Sequence, residues 1–228
     1  MEITLHRGRE GAAEARGLAV VIDVIRAFSV AAYAFAGGAR EIHLVSTVEE
    51  AFALRQRLPD ALLIGEVGGR LVPGFDLNNS PTRMVEADVR GRRLVQRTGA
   101  GTPSVIACAS ADELLLGSLV VARATVRMVQ QRRPARVSLV ATMPPSHPYG
   151  EDDACADYLA ALLRGETPDD AATLAAVLNA SESRPFTDPA EPDFPETDLH
   201  FVTAIDRCAF AMPVTREGDL LVARRCDI

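Results

Sequence analysis

The sequence predicts one α/β unit over residues 1–228, with a three-layer α/β/α architecture and a mixed, largely parallel sheet. Short apolar runs rich in β-branched residues alternate with segments of helical periodicity through most of the chain. Capping residues and prolines mark several helix boundaries. No internal repeat or low-complexity linker divides the chain. We therefore expect a single unit, either as one body or as two tightly packed lobes with the active site between them.

The first four predicted elements follow from apolar patterning and capping. Gly17 to Val24 is a short apolar run, typical of a strand buried on both faces. The alanine-rich stretch after Ser29 predicts a helix that ends near Gly37 and Gly38. Glu41 to Val45 predicts a second strand. Thr47 and Glu50 have the spacing of a capping box, which predicts the start of a further helix.

A third strand and a glycine-rich loop come next. Ala61 to Glu66 predicts the strand, and the polar stretch from Val67 to Asn79 predicts the loop. Arg93 to Arg97 predicts another strand. Thr102 and Pro103 then predict the cap and the first turn of a short helix.

The second half continues the alternation. Its predicted strands are Leu114 to Leu119 and Val137 to Thr142. A helix is predicted after the first of these strands and ends at about Arg132, and two more are predicted over 151–164 and 168–180. The stretch from Ser183 to Thr197 is rich in proline and acidic residues and predicts a surface loop. Apolar runs on both sides of residues 215–218 predict a C-terminal β-hairpin.

Composition narrows the class of function. Hydrophobic residues make up 48% of the chain, enough for a packed interior, and the formal net charge is −7. An acidic chain argues against a non-specific nucleic-acid binder, although it allows a local basic pocket for an anionic substrate. No apolar run approaches the roughly 20 residues of a membrane span. The acidic surface permits either a monomer or a homodimer.

Two residue types limit the chemistry further. All 24 basic residues are arginines, so neither a lysine Schiff base nor a P-loop lysine is available, and a charged side chain that binds phosphate must be an arginine. The four cysteines form no C-x-x-C pair, and the chain starts with no secretory pattern. We expect reduced thiols in a cytoplasmic protein.

An acid and an arginine follow the first predicted buried strand. In open α/β sheets, ligands bind beyond the carboxyl ends of strands. Asp23 could hold a metal or act as a nucleophile there, and Arg26 could bind phosphoryl oxygens. An internal salt bridge that ties strand to helix explains the same two residues equally well.

The next strand end carries acids and glycines. Glu66 ends its strand, and Asp76 lies in the glycine-rich loop that follows. Glycines let backbone amides approach a ligand closely, although a solvent-exposed turn explains the pattern better. Asn79 and Ser80 then precede a proline, which predicts a helix N-terminus that could attract an anion, or simple capping.

Two further stretches carry candidate ligands. Thr98, Gly99, Gly101 and Thr102 follow a strand and open a helix, so they could form a backbone nest for phosphate or a capped turn. Glu151 and Asp152 open another helix, where acids suit the helix dipole and could also bind Mg²⁺. We expect Cys155 to be a buried thiol rather than a nucleophile. The histidine spacing excludes the usual zinc motifs.

These stretches, in this order, resemble the 2-phosphosulfolactate phosphatase family. The matching motifs are VIDVIRA (Val21–Ala27), IGE (Ile64–Glu66), GFDLNNSP (Gly74–Pro81), TGAGT (Thr98–Thr102) and GEDDACA (Gly150–Ala156). The resemblance implies an α/β/α fold and a Mg²⁺-dependent acid phosphatase. It also implies a small anionic phosphate ester as partner, with hydrolysis of 2-phosphosulfolactate to sulfolactate on the route to coenzyme M.

The chain departs from the family pattern in three places, one of which is Gly117–Val121, where members often have an asparagine after a G-S-F-type strand. Asn78 stands where members usually have glycine, and Ala100 stands within TGAGT where members usually have T-N-G-T. These departures motivate one alternative, a relative that binds a small phosphorylated ligand without hydrolysing it. A second alternative is a flavodoxin-like nucleotide binder.

The resemblance leads to a mechanistic hypothesis. Mg²⁺ would be held by carboxylates drawn from Asp23, Glu66, Asp76, Glu151 and Asp152, although one or two suffice. Phosphoryl oxygens would be bound by Arg26 and by the backbone amides of residues 99–102, and the helix terminus at Ser80 would hold a second anionic group. The nucleophile is either a metal-bound water or Asp23 itself.

Overall fold

The computed structural model describes residues 1–228 and shows an α/β fold on one mixed sheet of 12 strands. The strands are β1 (Glu2–Arg7), β2 (Leu18–Ile22), β3 (Glu41–Val45), β4 (Leu62–Val67), β5 (Arg70–Leu71), β6 (Leu77–Asn78), β7 (Arg93–Arg97), β8 (Glu113–Gly117), β9 (Arg136–Ala141), β10 (Phe210–Glu217), β11 (Leu220–Ala223) and β12 (Cys226–Asp227). The predicted fold class is confirmed.

Helices connect most of the strands. They are α1 (Gly8–Glu14), α2 (Ala27–Ala36), α3 (Val48–Arg57), α4 (Pro81–Glu86), α5 (Gly101–Ala107), α6 (Ala122–Arg132), α7 (Glu151–Leu163), α8 (Asp170–Asn179) and α9 (Thr197–Val202). Short 3₁₀ helices cover Leu119–Val121 and Ser181–Thr187. No helix combines the length and the apolar character that crossing a membrane requires.

Two blocks of parallel strands form most of the sheet, and an antiparallel hairpin joins them. The order is β1-β9-β2-β8-β10-β11-β3-β7-β4-β5. β1, β9, β2 and β8 are parallel to one another, and so are β3, β7 and β4. The hairpin of β10 and β11 pairs antiparallel with β8 on one side and β3 on the other. Three antiparallel pairings therefore separate β8 from β3, so the strands of the two blocks run in opposite directions on either side of the hairpin.

The side-chain alternation of a strand explains the layers. In β2, Ala19 and Val21 face a core shared with α1, α2, α4 and α5. Leu18, Val20 and Ile22 face the opposite core, shared with α6, α7 and α8. Successive side chains of a strand point to opposite faces, so a run that is apolar throughout is buried on both sides. Helices on both faces complete the three layers.

Helix α2 brings the two blocks to one site. It leaves the carboxyl end of β2 and leads to the start of β3. Its Phe28 and Phe35 lie in one core with Val21 of the first block and with Ile42 and Leu94 of the second. The carboxyl ends of both blocks meet near the start of α2, where the Asp23 carboxylate after β2 faces Gly101 after β7.

Most of the predicted boundaries are confirmed within about two residues. Glu41–Val45 and Arg93–Arg97 are confirmed to the residue, and the capping box of Thr47 and Glu50 is formed at α3. The C-terminal hairpin is also confirmed, with its turn between Glu217 and Leu220.

Three expectations are corrected. α2 begins at Ala27, before Ser29, because a carboxylate oxygen of Asp23 accepts the Ala27 N–H. α5 begins at Gly101, so Thr102 is its second residue and not its cap. β1 and α1 were not predicted, since β1 is a half-exposed edge strand of mixed polarity that lacks a continuous apolar signal.

We predict that Gly65 in β4 tolerates no side chain. Its φ is +135°, and a Cβ there would lie 1.8 Å from the Arg97 carbonyl oxygen of β7. Gly65→Ala should lower the free energy of unfolding by about 3 kcal/mol or more, measured by urea denaturation. The control Gly68→Ala also has positive φ but meets nothing within 4 Å, so it should cost about 1 kcal/mol. Equal losses in the two variants would contradict the clash.

Candidate active site

Asp23 presents a nearly buried carboxylate oxygen that has no partner. It follows β2 directly, and its Oδ1 accepts the Ala27 N–H at 2.8 Å, which fixes the carboxylate against the start of α2. Its Oδ2 accepts no hydrogen bond and faces the turn before α5, where a Cβ added to Gly101 would lie 2.6 Å away. The residue is only 5% exposed. This oxygen is free to contact a bound ion or substrate.

Asp152 is held beside Asp23 by three hydrogen bonds. Its Oδ1 accepts the Val24 N–H at 2.8 Å. Its Oδ2 accepts the Thr142 N–H at 3.1 Å and the Thr142 hydroxyl at 2.6 Å. Bonds to an ionised acceptor are stronger than neutral ones. They tie α7 to the carboxyl ends of β2 and β9 and bring the charge of Asp152 close enough to Asp23 to affect its ionisation.

Glu66 arrives from the other block of strands. It is 8% exposed, and its Oε2 accepts the Gly69 N–H at 2.7 Å. Its Oε1 accepts the Gly99 N–H in a short bond. The charge of Glu66 also acts on Asp23. Carboxylates from β2 and β4, which belong to different blocks, therefore share one site.

Glu151 is the most completely buried of these acids. It is the first residue of α7, it is 1% exposed, and its Oε2 has no hydrogen-bond partner. The carboxylate of Glu182, which forms a short bond to the Nε2 of His147, lies near enough to raise the pKa of Glu151 further. Asp23, Glu66, Glu151 and Asp152 are called the acid cluster below.

Burial and mutual repulsion disfavour ionisation in the acid cluster. Burial raises the pKa of Asp23 well above its ordinary value, and the charges of Asp152 and Glu66 raise it further. Burial also raises the pKa of Asp152 to about 6. Burial together with the charge of Asp152 raises the pKa of Glu151 to about 10. Strongly perturbed groups of this kind are concentrated at functional sites.

The turn before α5 keeps two backbone donors free. Thr98 and Thr102 bond to each other, since each backbone N–H donates to the other's hydroxyl at 3.0 Å. The Gly99 N–H is taken by Glu66. The N–H groups of Ala100 and Gly101 donate to no protein acceptor. Of the phosphate nest expected over residues 99–102, these two amides remain available, next to the free oxygen of Asp23.

Arg26 is engaged within the protein. Its Nη1 donates to Asp198 Oδ2 at 2.9 Å and to the Asp193 carbonyl at 2.8 Å, and its Nη2 donates to the Gly69 carbonyl at 2.9 Å. The guanidinium also lies 5.1 Å from the ring centroid of Phe186 and 4.9 Å from that of Phe194. The expected internal salt bridge joined Arg26 to Asp23, whereas the structure pairs Arg26 with Asp198.

The helix terminus at Ser80 already binds a carboxylate. Ser80 caps α4, and its hydroxyl donates to Asp198 Oδ1 at 2.7 Å. The same oxygen accepts the Thr82 N–H at 2.9 Å. The expectation that this terminus holds an anionic group of the substrate is therefore corrected, because the carboxylate of Asp198 occupies it. Asp198 is fully buried at 0% exposure.

Asp76 lies outside the acid cluster. Its carboxylate accepts the Leu63 N–H at 2.7 Å and forms an ion pair with Arg55. Leu63 is near the start of β4, whereas Glu66 is near its end. Asp76 therefore joins α3 to the loop before β6 and contributes no ligand to the acid cluster.

Asn79 remains without a hydrogen bond from its side chain. It is 4% exposed, and its Oδ1 is unpaired. Its neighbour Asn78 donates through Nδ2 to Asp193 Oδ1 at 2.8 Å and to the carbonyl of the same residue at 3.2 Å. Asn78, one of the departures from the family pattern, is thus used to bind the 188–196 segment.

The predicted surface loop from Ser183 to Thr197 is partly wrong. Its first residues form a 3₁₀ helix with Ser183 and Phe186 buried, and its later part packs on Arg26 and Asn78. Sequence reasoning missed these residues, along with Asp198 and Glu182. An acidic, proline-rich composition suggests exposure and gives no sign of contacts made 115 to 172 positions away.

The acid cluster has the donors that a hard divalent cation prefers. Unpaired oxygens of Asp23 and Glu151 lie in a site with raised carboxyl pKa values, and a cation would favour the ionised forms. No group of three or more histidine, cysteine, aspartate and glutamate side chains is placed to hold one ion. The site therefore fits an ion held by one or two carboxylates and water, as Mg²⁺ usually is.

The cysteines are not placed for nucleophilic chemistry. All four are free thiols, and Cys155 is buried in α7. Burial raises the pKa of the Cys155 thiol well above its ordinary value, with Asp152 adding to the effect. A thiol that stays protonated is a poor nucleophile.

Comparison with known proteins gives one consistent family. The family model described as 2-phosphosulpholactate phosphatase matches residues 5–190. A protein of Bacillus subtilis (strain 168) named probable 2-phosphosulfolactate phosphatase is 35% identical over 232 residues, which cover 100% of both chains. Proteins of the same name from Thermus thermophilus and Deinococcus radiodurans are 34% and 44% identical. The alignments cover 75% and 48% of this chain, and 72% and 46% of the relatives.

We predict that Glu151 makes the metal-free protein less stable as pH rises. Its pKa is about 10 in the folded state against an ordinary value of 4.5, so the folded chain binds the extra proton between these values. Stability should therefore fall with increasing pH over that window. In chelator, the Tm of wild type should fall between about pH 5 and about pH 8, and that of Glu151→Gln should fall less. The exposed Glu166→Gln is the control, and an unchanged slope in Glu151→Gln would contradict the assignment.

Proposed function

The chain belongs to the 2-phosphosulfolactate phosphatase family and is a phosphoric monoester hydrolase, and from that premise we propose a magnesium-dependent enzyme that hydrolyses 2-phosphosulfolactate to sulfolactate and phosphate. The name of a relative that covers the full length of the chain supports the substrate. The acid cluster supports the metal, because its oxygens are hard ligands without compensating cations.

One observation carries the proposal: the unpaired Oδ2 of Asp23 faces the turn that holds the free amides of Ala100 and Gly101. Phosphoryl transfer needs donors for the equatorial oxygens and a group that attacks or activates the nucleophile in line. The two amides supply donors without any reorganisation. Asp23 supplies a carboxylate oxygen on the same side of the turn.

The metal is assigned to Asp23 and Glu151, whose carboxylates keep an unpaired oxygen. When bound, Mg²⁺ would neutralise phosphoryl charge and polarise the ester for attack. Asp152 and Glu66 use their oxygens to accept from backbone and hydroxyl donors, so they hold the strand ends and the Gly99 turn in place. These roles fall at the ends of buried strands, where the scaffold is most rigid.

Two routes are open for Asp23. In the first, Glu151 alone holds the metal and Asp23 Oδ2 attacks phosphorus directly, forming an aspartyl phosphate as the ester P–O bond breaks, and water then hydrolyses that intermediate. Alternatively, Asp23 takes a proton from the water that attacks phosphorus. In both routes the alcohol oxygen of sulfolactate leaves with the electron pair and gains a proton.

The alternative of a non-catalytic binding protein was based on the departures at Asn78 and Ala100, and the one at Asn78 no longer supports it. Asn78 replaces the family's glycine, and its side chain anchors the segment around Asp193. This is a structural use of the residue, so the substitution removes no contact to a ligand. At Ala100 the backbone N–H, which any residue except proline supplies, is the group that faces the site.

The proposal extends to the setting of the reaction. We assign the enzyme to the cytoplasm and to a route that makes sulfolactate for coenzyme M, with a small phosphate ester as its partner. The four free thiols support a reducing compartment. The net charge of −7 argues against nucleic acid as a partner.

We predict that Asp23→Asn removes turnover while the protein stays folded. The amide cannot attack or take a proton, so kcat should fall by about 10²- to 10⁴-fold in a phosphate-release assay. Asp76→Asn is the control, because Asp76 lies outside the acid cluster, and its kcat should stay within about threefold of wild type. Near-normal turnover by folded Asp23→Asn would falsify the role of Asp23.

We predict that the metal-free enzyme is inactive and that Mg²⁺ restores it. A panel of phosphorylated hydroxy acids, assayed after chelation and after Mg²⁺ is returned, tests metal and substrate together. The highest kcat/KM should belong to 2-phosphosulfolactate. Full activity in chelator would remove the metal from the proposal, and a better ester in the panel would replace the substrate.

We predict that rapid acid quenching during turnover separates the two routes for Asp23. If the carboxylate attacks phosphorus, the quenched enzyme should carry one phosphoryl group on the peptide that contains Asp23, detected by mass spectrometry. If Asp23 acts as a base, that peptide should stay unmodified at every quench time while phosphate is released. Asp23→Asn, quenched in the same way, is the control and should give no phosphopeptide by either route.

A further inference from the structure

The acid cluster is largely buried in this structure. Its four residues are between 1% and 8% exposed. None of them lines any of the five main cavities of the molecule. A phosphate ester is much larger than a water molecule, so it needs more room at Asp23 than these buried side chains leave.

Residues 188–196, called the lid below, lie against groups that border the acid cluster. The ring of Phe194 lies on Gly69, where an added Cβ would be 2.2 Å from it, and the Gly69 N–H in turn binds Glu66. The same ring covers one face of Arg26, and the Asp193 carbonyl accepts from Arg26. The lid thus sits on the groups that border the acid cluster from the side of β4.

The lid has firm ends and a weakly held middle. Phe186 before it is 3% exposed, and Asp198 after it is fully buried. Between them, the lid contacts the sheet through Asp193, through the exposed ion pair of Glu191 with Arg70, and through Phe194. Exposed ion pairs contribute little to stability. The buried contacts of the lid are thus concentrated at Asp193 and Phe194, and a segment anchored at so few points between two fixed ends is suited to local opening.

There is also room for the lid to move. A cavity of about 350 Å³ lies between the lid and α4. Pro192, Asp193 and Pro195 line it from the lid, and Arg83 and Glu86 line it from α4. The outer side of the lid is therefore not packed against a core that would hold it in place.

We propose that the lid opens to admit the substrate and that Arg26 then passes from the Asp193 carbonyl to an anionic oxygen of the substrate. A charge-assisted bond to an anion is stronger than one to a neutral carbonyl, so the substrate competes well for this donor. Asp198 stays bound to Arg26 and to Ser80 and keeps the guanidinium in position. Since the lid covers the site proposed above, its role rests on that proposed function.

A tryptophan reporter tests the movement. The chain contains no tryptophan, so Phe194→Trp places one fluorophore in the lid, and Phe52→Trp places one in α3 as a matched control away from it. With Mg²⁺ present, inorganic phosphate should raise the acrylamide quenching constant of the Phe194→Trp variant by about threefold, because the lid loses Arg26. The same addition should leave the quenching constant of the Phe52→Trp variant unchanged. If the quenching constant of the Phe194→Trp variant stays constant or falls at saturating phosphate, the proposed passage of Arg26 from the lid to the substrate is overturned.

A reversible tether tests the need for opening. Arg70→Cys with Glu191→Cys, in a Cys226→Ser background, replaces the exposed ion pair by two thiols that a cleavable bis-maleimide can join. Tethering should lower kcat/KM by about tenfold or more, and cleavage of the linker should restore it. The two single-cysteine variants, treated with the same reagent, control for bulk. Full activity with the lid tethered would overturn the lid.

The outcomes separate the lid from the hydrolysis. If wild type hydrolyses no ester but phosphate still raises quenching in the Phe194→Trp variant, the hydrolytic function fails and the lid stands. If wild type hydrolyses esters and the tethered enzyme does so at the same rate, the lid fails and the function stands. Each result is obtained with the full chain.

Discussion

The buried ion pair between Arg26 and Asp198 is the contact on which the site depends. Both side chains are almost fully removed from water, at 3% and 0% exposure. Burying two charges is costly unless further hydrogen bonds satisfy them. Asp198 gains these bonds from Ser80 and from the Thr82 N–H, and Arg26 gains them from the carbonyls of Asp193 and Gly69. Removing either partner would leave the other charge buried and unpaired.

Charges that are compensated and charges that are not lie at the same end of the sheet. Arg26 pairs with Asp198, and it lowers the pKa of Asp23 less than burial and the two nearby carboxylates raise it. The carboxyl groups therefore remain poorly compensated. A stable fold would normally avoid this arrangement, and active sites are where such local cost is retained for function.

The sheet topology explains why acids so distant in sequence share a site. The hairpin of β10 and β11 reverses the direction of strands between the two parallel blocks, and α2 packs against residues of both blocks where their carboxyl ends meet. Asp23, from the first block, and Glu66, from the second, then contact the same turn before α5, Asp23 at Gly101 and Glu66 at Gly99. Residues on rigid strand ends hold their geometry better than residues on free loops.

Local patterns were enough to predict the α/β/α class, most strand and helix positions, the family, and carboxylates at strand ends as the chemical theme. Apolar runs, capping spacings such as Thr47 with Glu50, and short motifs carry that information. Only the tertiary structure shows which polar groups have hydrogen-bond partners and which do not. There, Arg26 and Ser80 pair with Asp198, Asp76 pairs with Arg55, and Asp23 Oδ2 stays unpaired. The reason is physical, because the availability of a side chain depends on partners that can lie more than 100 residues away, and no local pattern records them.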